Sequence, residues 1–100
     1  MSRLTLARGV RGDLRGIWRY IGIENQNPDA ADREIDRITA AFGVLAREPL
    51  LGQAREDLAS GVRSFVVGSY IVLYALQEHG VRVVQVVHSA RDIQATFRRP

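Results

Sequence analysis

The sequence predicts an α+β fold in which a helical hairpin packs on a small antiparallel sheet, in the order βααβββ. Two observations predict it. The first half of the chain carries two stretches with apolar residues at helical spacing, separated by a polar break at residues 25–29. The second half carries three apolar runs of strand length, separated by turns of two or three residues. With 100 residues, 46% of them hydrophobic, the chain can bury one core, so residues 1–100 are expected to form a single domain.

A short strand and a helix are expected at the start of the chain. Polar and apolar residues alternate over residues 3–7, which is typical of a half-buried strand. A helix is expected over about residues 8–24, because its apolar residues recur on one face. These residues are Val10, Leu14, Ile17, Trp18 and Ile21. Four glycines in this segment lower its helix propensity, so tertiary packing has to stabilise it.

The second helix has a clear start and a clear end. Asn27 can cap it, with Pro28 at the first helical position and Asp29 in the first turn. It runs to about residue 47, and Pro49 ends it. Its apolar stripe consists of Ala31, Ile35, Ile38, Phe42 and Leu45. Because the link to the first helix is short, the two helices should form an antiparallel hairpin.

Three strands are expected over residues 62–67, 70–77 and 81–88, joined by tight turns. The middle one is apolar almost throughout, which predicts a central strand buried on both faces. Before them, residues 50–61 read as a loop in which Leu51 and Leu58 should pack inward. After them, a short helical turn is expected near residue 93.

Composition excludes several kinds of site. There is no cysteine, so a disulfide framework, a thiol nucleophile and a cysteine zinc site are excluded, and two histidines are too few for a histidine metal site. No phosphate-binding glycine loop and no serine nucleophile motif is present, and no cofactor is expected. The opening residues lack a long apolar segment and no apolar run could cross a membrane, which predicts a cytoplasmic protein without membrane contact.

Arginine supplies all of the basic charge. The 14 basic residues are all Arg, the net charge is +3 and the sequence pI is near 10.2. Such a surface favours an acidic protein partner or nucleic acid. Four of these arginines would lie within an arc of about 80° on the first helix, opposite its apolar face: Arg8, Arg11, Arg15 and Arg19. This arc is either a solvated outer face or a binding stripe for an acidic partner.

A polar cluster is expected where the last strand ends. Three polar residues lie close together there in the sequence, namely His88, Arg91 and Asp92. Arg63 lies near the start of the expected strand over residues 62–67. A histidine with nearby arginines can perform general acid–base chemistry on a phosphodiester. The same residues can equally form a structural cluster in which an arginine pairs with Asp92. The spacing alone is not a catalytic motif.

Taken together, these segments resemble the ParE branch of the RelE/ParE toxin superfamily over almost the whole length. The resemblance rests on ordered pieces that are weak singly and specific together, and these are RLTL at 3–6, DLRGIWRYI at 13–21, ADR at 31–33, IDRI at 35–38, LAREP at 45–49, LG at 51–52, GVRSF at 61–65, VG at 67–68, Tyr70, Tyr74, VVH at 86–88 and RD at 91–92. It implies the βααβββ order that the residue patterns predict independently.

The resemblance also implies a function. The chain would be the toxin of a type II toxin–antitoxin pair, neutralised by a ParD-like antitoxin whose wrapping segment is often acidic, with DNA contacted only through that antitoxin. Relatives of known action poison DNA gyrase and block replication. Candidate antitoxin-binding residues are Arg8, Arg11, Arg15, Arg19, Trp18 and Arg63.

The RelE branch, whose members cut mRNA on the ribosome, implies a different site. It would need several basic residues and a late Tyr or His, yet Val66 and Phe97 stand where an Arg and a catalytic Tyr would be expected. The nuclease set would be reduced to His88, Arg91 and Arg63. We therefore expect no enzyme and no catalytic residue. A ribosome-dependent ribonuclease and an inactive antitoxin-binding module remain as alternatives.

Overall fold

The computed structural model describes residues 3–99, so Met1, Ser2 and Pro100 of the expected 1–100 domain lie outside it. Its elements follow the predicted βααβββ order, with one short strand added and the expected helical turn near residue 93 present as a short helix. They are β1 (Arg3–Leu6), α1 (Val10–Arg19) with a π-helical continuation (Tyr20–Glu24), α2 (Pro28–Arg47), β2 (Gln53–Ala54), β3 (Val62–Val67), β4 (Tyr70–Gln77), β5 (Gly80–His88) and α3 (Ile93–Thr96). The predicted α+β class is confirmed.

The sheet is mixed, which corrects the expected antiparallel sheet. Its strand order is β1-β5-β4-β3-β2, and the three pairings from β2 to β5 are antiparallel. β1 pairs with β5 in parallel, with Leu6 opposite Val83. A parallel pair needs a long crossover rather than a hairpin, and the two helices and the strands β2 to β4 between β1 and β5 supply one. At the first paired position the two backbones are so close that a Cβ on Gly80 would clash with the Arg3 backbone.

The first helix begins later than expected. Gly9 has a φ of 99° in the left-handed region, so the helix starts at Val10 and Arg8 precedes it. The expected helical stripe therefore loses its first member. At the other end the Asn25 N–H donates to the Tyr20 carbonyl at 3.0 Å, a five-residue step that makes this last turn π-helical.

The second helix agrees with the prediction at both ends. The Asn27 side chain accepts a hydrogen bond from the Ala30 N–H at 3.1 Å, and Pro28 occupies the first turn. Gln26, with a φ of 55°, makes the reversal between the helices. The helix ends at Arg47, before Pro49. The predicted helical hairpin is thus confirmed.

The core lies between the helical hairpin and one face of the sheet. It includes completely buried side chains from α1, α2, β4 and β5, among them Val10, Ile38, Leu45, Val72, Tyr74, Val81 and Val83. A smaller cluster covers the opposite face, where Leu58 and Leu73 pack with the partly buried Ile93 and Phe97. The expectation for Leu58 is confirmed, whereas Leu51 is 49% exposed because its loop runs along the surface.

A β-bulge in β5 determines what that strand presents to each face. Leu73 pairs with Gln85, but the next residue, Tyr74, pairs with Val83, so Val84 is an extra residue. The bulge lets Val83 and Val86 both contribute to the core under the helices. Gln85 contacts the C-terminal tail instead.

Candidate functional site

An open groove of about 730 Å³ runs between α1 and the second half of β5, and the C-terminal tail forms part of its wall. Its lining comprises Gly12, Asp13, Gly16, Ile17, Tyr20 and Glu24 from the first helix, Tyr70 from β4, Gln85 to His88 from β5, and Arg91, Thr96 and Arg98 from the tail. The groove exists because β1 ends at Leu6, well before the end of β5.

Asp13 connects the three walls of this groove. Its carboxylate accepts the Val86 backbone N–H at 3.0 Å and both terminal nitrogens of Arg98, at 2.8 and 2.6 Å. These hydrogen bonds raise the pKa of the Arg98 guanidinium. The guanidinium also covers Gly9, where an added Cβ would lie 2.9 Å from its Nη2 atom. The start of α1 is therefore fixed against the tail.

Gln85 fastens the rest of the tail to the sheet. Its amide nitrogen donates to the Thr96 carbonyl at 2.9 Å and its oxygen accepts the Arg98 N–H at 2.7 Å. Only 4% of Gln85 is exposed, so both polar ends of a buried side chain are satisfied by tail backbone. Asp92 caps α3 by accepting the Ala95 N–H, rather than pairing with an arginine.

His88 lies at the end of the groove with its ring edge against Tyr70. The ring centroids are 5.2 Å apart and the planes meet at 83°. The Nδ1 atom of His88 accepts the Ala90 N–H at 3.0 Å, which holds the turn into the tail. Tyr70 itself is buried, and this burial raises the pKa of its hydroxyl, helped by the nearby charge of Glu34.

The structure places Arg63 away from this cluster. Arg63 is paired with Tyr74 on β4, whereas His88 is paired with Tyr70, four residues or roughly 13 Å along the strand and on its other side. The Arg63 guanidinium donates to the carbonyls of Gly52 at 2.9 Å and Leu50 at 3.3 Å. Arg63 therefore holds the loop after α2, and only His88 and Arg91 share the groove.

Two positions at which the RelE-type nucleases would carry reactive side chains hold Val66 and Phe97, which are apolar. Val66 is 64% exposed on β3, beyond the two residues that β2 covers, and its side chain offers no charge. Phe97 packs into the small cluster on the opposite face of the sheet. Neither residue lines the groove beside His88.

The arginine stripe is exposed, as expected for either of its two interpretations. Arg11, Arg15 and Arg19 lie on the outer surface of α1, and Arg8 is exposed just before it. Around the helix axis Arg19 lies about 20° from Gly12, because seven residues advance roughly 700°. Arg19 therefore borders the glycine side of the groove, whereas Arg11, about 20° from Trp18 by the same geometry, lies away from it.

Trp18 lies on another side of α1, facing the second helix. Its indole N–H donates to Asp32 at 2.8 Å, and its ring covers Gly22. Trp18 therefore joins the two helices.

Residue patterns did not reveal Asp13 and Arg98 as the residues that hold the groove together. Asp13 resembles an ordinary acidic residue of a first helical turn, and no local pattern relates it to an arginine 85 positions away. The one signal in the sequence was the unequal length of two predicted strands, 5 residues for the first and 8 for the last. If these strands pair, part of the longer one must be left without a neighbour.

Residues 3–99 form neither a cluster of metal ligands nor a membrane-spanning helix. No group of three metal-ligating side chains occurs there. None of the helices in that range is long and apolar enough to cross a membrane.

Comparison with known proteins gave consistent matches along the chain. A family profile described as "ParE toxin of type II toxin-antitoxin system, parDE" matches residues 4–93. Toxin ParE3 of Caulobacter vibrioides is 33% identical over 95 residues, covering 95% of this chain and 94% of its own. Toxin ParE1 of Mycobacterium tuberculosis is 26% identical over 93 residues, covering 92% and 94%. A chain from a structure titled "Chromosomal ParDE TA system from P. aeruginosa" shares the fold, with a TM-score of 0.71 at 18% identity, covering 88% of this chain and 96% of its own.

Proposed function

This chain belongs to the ParE toxin family of type II toxin–antitoxin systems, and from that premise we propose that it arrests growth in the cytoplasm by binding DNA gyrase. The family match over residues 4–93 is the observation that carries the proposal. ParE toxins are not enzymes, so the predicted absence of catalysis is confirmed by family membership. In this proposal residues 1–100 act as one toxin domain.

The geometry near His88 supports binding rather than RNA cleavage. A general acid–base site needs its groups within hydrogen-bond reach of one substrate. Here Arg63 is engaged with loop carbonyls two strands away, and the His88 Nδ1 already accepts a backbone N–H. His88 and Arg91 without Arg63 supply fewer groups than the ribonuclease alternative requires.

We also propose a ParD-like antitoxin as the physiological partner. Two of the relatives are named as ParE toxins, and the structural neighbour comes from a ParDE system. Arg91 in the lining and Arg19 at the border add positive charge to the concave surface of the groove, which suits the acidic segment expected of such a partner. In this proposal DNA is contacted only by the antitoxin.

Within that surface the candidate residues have unequal roles. Arg11, Arg15 and Arg19 are exposed on α1 and we propose that they contact the antitoxin directly. Arg8 is exposed but precedes the helix. By contrast, Trp18 and Arg63 have partners within the chain, so their contribution to binding would be indirect.

A growth experiment tests the proposal against both alternatives. Expression of the chain alone should arrest growth, and co-expression of the product of the adjacent antitoxin gene should restore it. Cellular mRNA should stay intact during arrest, and a variant with His88→Ala and Arg91→Ala should remain toxic. If the wild-type chain causes cleavage of mRNA and the double variant does not, the ribonuclease alternative is favoured. Normal growth of cells that contain the folded chain would favour the inactive module.

A further inference from the structure

β5 presents an open edge to the groove. β1 covers only Gly80 to Val83, and its last contact is the Ala7 N–H donating to the Val83 carbonyl at 2.8 Å. The chain then turns at Gly9 into α1, so no strand continues beside residues 84–88. An uncovered strand edge is a template for a further strand.

The backbone groups that face this edge can be identified. The Val86 N–H donates to Asp13, which lies on the side away from β4. Because alternate residues of an antiparallel pair turn their N–H and C=O to the same side, Val86 and His88 both turn theirs toward the groove. Of these four groups, Asp13 takes the Val86 N–H, and the Arg91 N–H donates to the His88 carbonyl at 3.0 Å.

The two groups left over make a specific pair. Within residues 3–99, the Val86 carbonyl and the His88 N–H have no hydrogen-bond partner on the groove side. One residue of a parallel neighbouring strand satisfies such a pair, donating its N–H to the first and accepting with its C=O from the second. An antiparallel neighbour would instead need both the N–H and the C=O of Val86, or both of His88. One group of each residue already has a partner, namely the Val86 N–H and the His88 carbonyl.

We propose that an extended segment of the antitoxin binds here as a strand parallel to β5, on the same side of β5 as β1, which covers only its first half. This inference rests on the proposed antitoxin partnership and specifies how the partner is recognised. Main-chain hydrogen bonds to a sheet edge supply affinity in this mode of recognition, and side-chain contacts supply specificity.

The opposite wall of the groove admits a backbone at close range. Gly12 and Gly16 face it, and a Cβ built on Gly16 would meet no atom within 4 Å. The space beside Gly16 is therefore unfilled by this chain, although Asp13 occupies the edge at the Val86 N–H. Arg91 and Glu24 also line the groove and Arg19 borders it, whereas the charge of Asp13 is already paired with Arg98. Within the described residues, the two unpaired arginines outnumber Glu24, which favours a segment with acidic side chains.

A proline substitution tests the strand directly. His88→Pro removes the backbone N–H without disturbing the ladder to β4, because that N–H faces the groove. His88→Ala is the matched control, since it removes the imidazole and keeps the N–H. Titration with the purified product of the adjacent antitoxin gene should show binding to His88→Pro at least about tenfold weaker than to His88→Ala. Equal dissociation constants for two folded variants would overturn the inference.

A second variant serves if the proline disturbs folding. Gly16→Leu places a side chain in the groove, where nothing lies within 4 Å of the added Cβ, and should weaken the complex at least about tenfold. Gly43→Leu, on the other helix, is the control and should leave the affinity unchanged. Unchanged affinity of Gly16→Leu would also overturn the inference.

Hydrogen exchange separates this inference from the proposed function. The His88 amide should become protected when the antitoxin binds. If the complex forms but the His88 amide stays unprotected, the inferred strand pairing is wrong, whereas the proposed antitoxin partnership still holds. If the wild-type chain does not bind the antitoxin at all, both proposals fall. A dimer of the chain alone that His88→Pro dissociates would make a second copy the occupant and overturn the antitoxin assignment.

Discussion

Asp13 and Arg98, 85 positions apart in the sequence, form a two-bond ion pair with nitrogen–oxygen distances of 2.8 and 2.6 Å. The same carboxylate accepts the Val86 N–H at the open edge of β5. One side chain thus joins the first helix, the last strand and the C-terminal tail. The shape of the groove depends on this arrangement.

Removing Asp13 should cost more stability than removing Arg98. Asp13→Ala leaves both the Val86 N–H and the guanidinium without their acceptor, which should lower the free energy of unfolding by about 1–3 kcal/mol. Arg98→Ala keeps the bond to Val86 and should cost less, because the Arg98 side chain is 42% exposed and water can replace it. Urea denaturation of both variants checks this order. The reverse order would show that Asp13 does not hold the groove together.

Asp32→Ala should loosen the contact between the two helices. The variant loses the acceptor for the Trp18 indole N–H and should be less stable by about 1 kcal/mol. Trp18 is the only tryptophan, so its emission reports the change, and the maximum should move to longer wavelength as water reaches the ring. Asp36→Ala, on the same helix, should leave emission and stability nearly unchanged. An identical spectrum in Asp32→Ala would contradict the role assigned to this bond.

Acid should weaken the attachment of α3 through Asp57. Hydrogen bonds from Arg55 and then Gln94 hold the pKa of the Asp57 carboxyl well below its ordinary value of 3.8. Because the folded-state pKa is the lower one, this contribution is present above the unfolded value and is lost as the pH falls through the folded value. Between neutral pH and about pH 3, wild type should lose more stability than Asp57→Asn. Parallel losses in urea denaturation would contradict this.

Reversing charge on α1 should weaken the antitoxin complex. Arg11→Glu combined with Arg15→Glu should raise the dissociation constant more than about tenfold, equivalent to about 1.4 kcal/mol or more, because an acidic segment would then meet like charge. Arg33→Glu with Arg47→Glu makes the same change in net charge on exposed positions of α2 and is the control. Isothermal titration measures both. If the two pairs weaken binding equally, the effect is one of net charge and the stripe has no special role.

Local patterns predicted most of the fold. The cap at Asn27, the apolar run of β4 and the tight turns act over a few residues, so each was visible in the sequence. The parallel pairing of β1 was not, because the direction of a distant strand depends on the whole crossover between the two strands. The left-handed Gly9 shortened the first helix in a segment where glycines were expected only to weaken it.

The site was less accessible to sequence reasoning than the fold. The exposed arginines of α1 follow from helical spacing, so their side was predictable. The separation of Arg63 from His88 follows from strand order, which places the two residues on opposite sides of β4. The open edge of β5 depends on where β1 stops and on an ion pair across 85 positions, and no local signal encodes that pair.

Gyrase activity in the presence of the purified chain tests the central claim most directly. Supercoiling of relaxed plasmid by DNA gyrase should stop, or cleaved plasmid should accumulate, as the chain is added, and the antitoxin should restore activity. A folded chain that binds its antitoxin tightly and yet leaves supercoiling normal at a large molar excess would contradict the proposal that gyrase is its target.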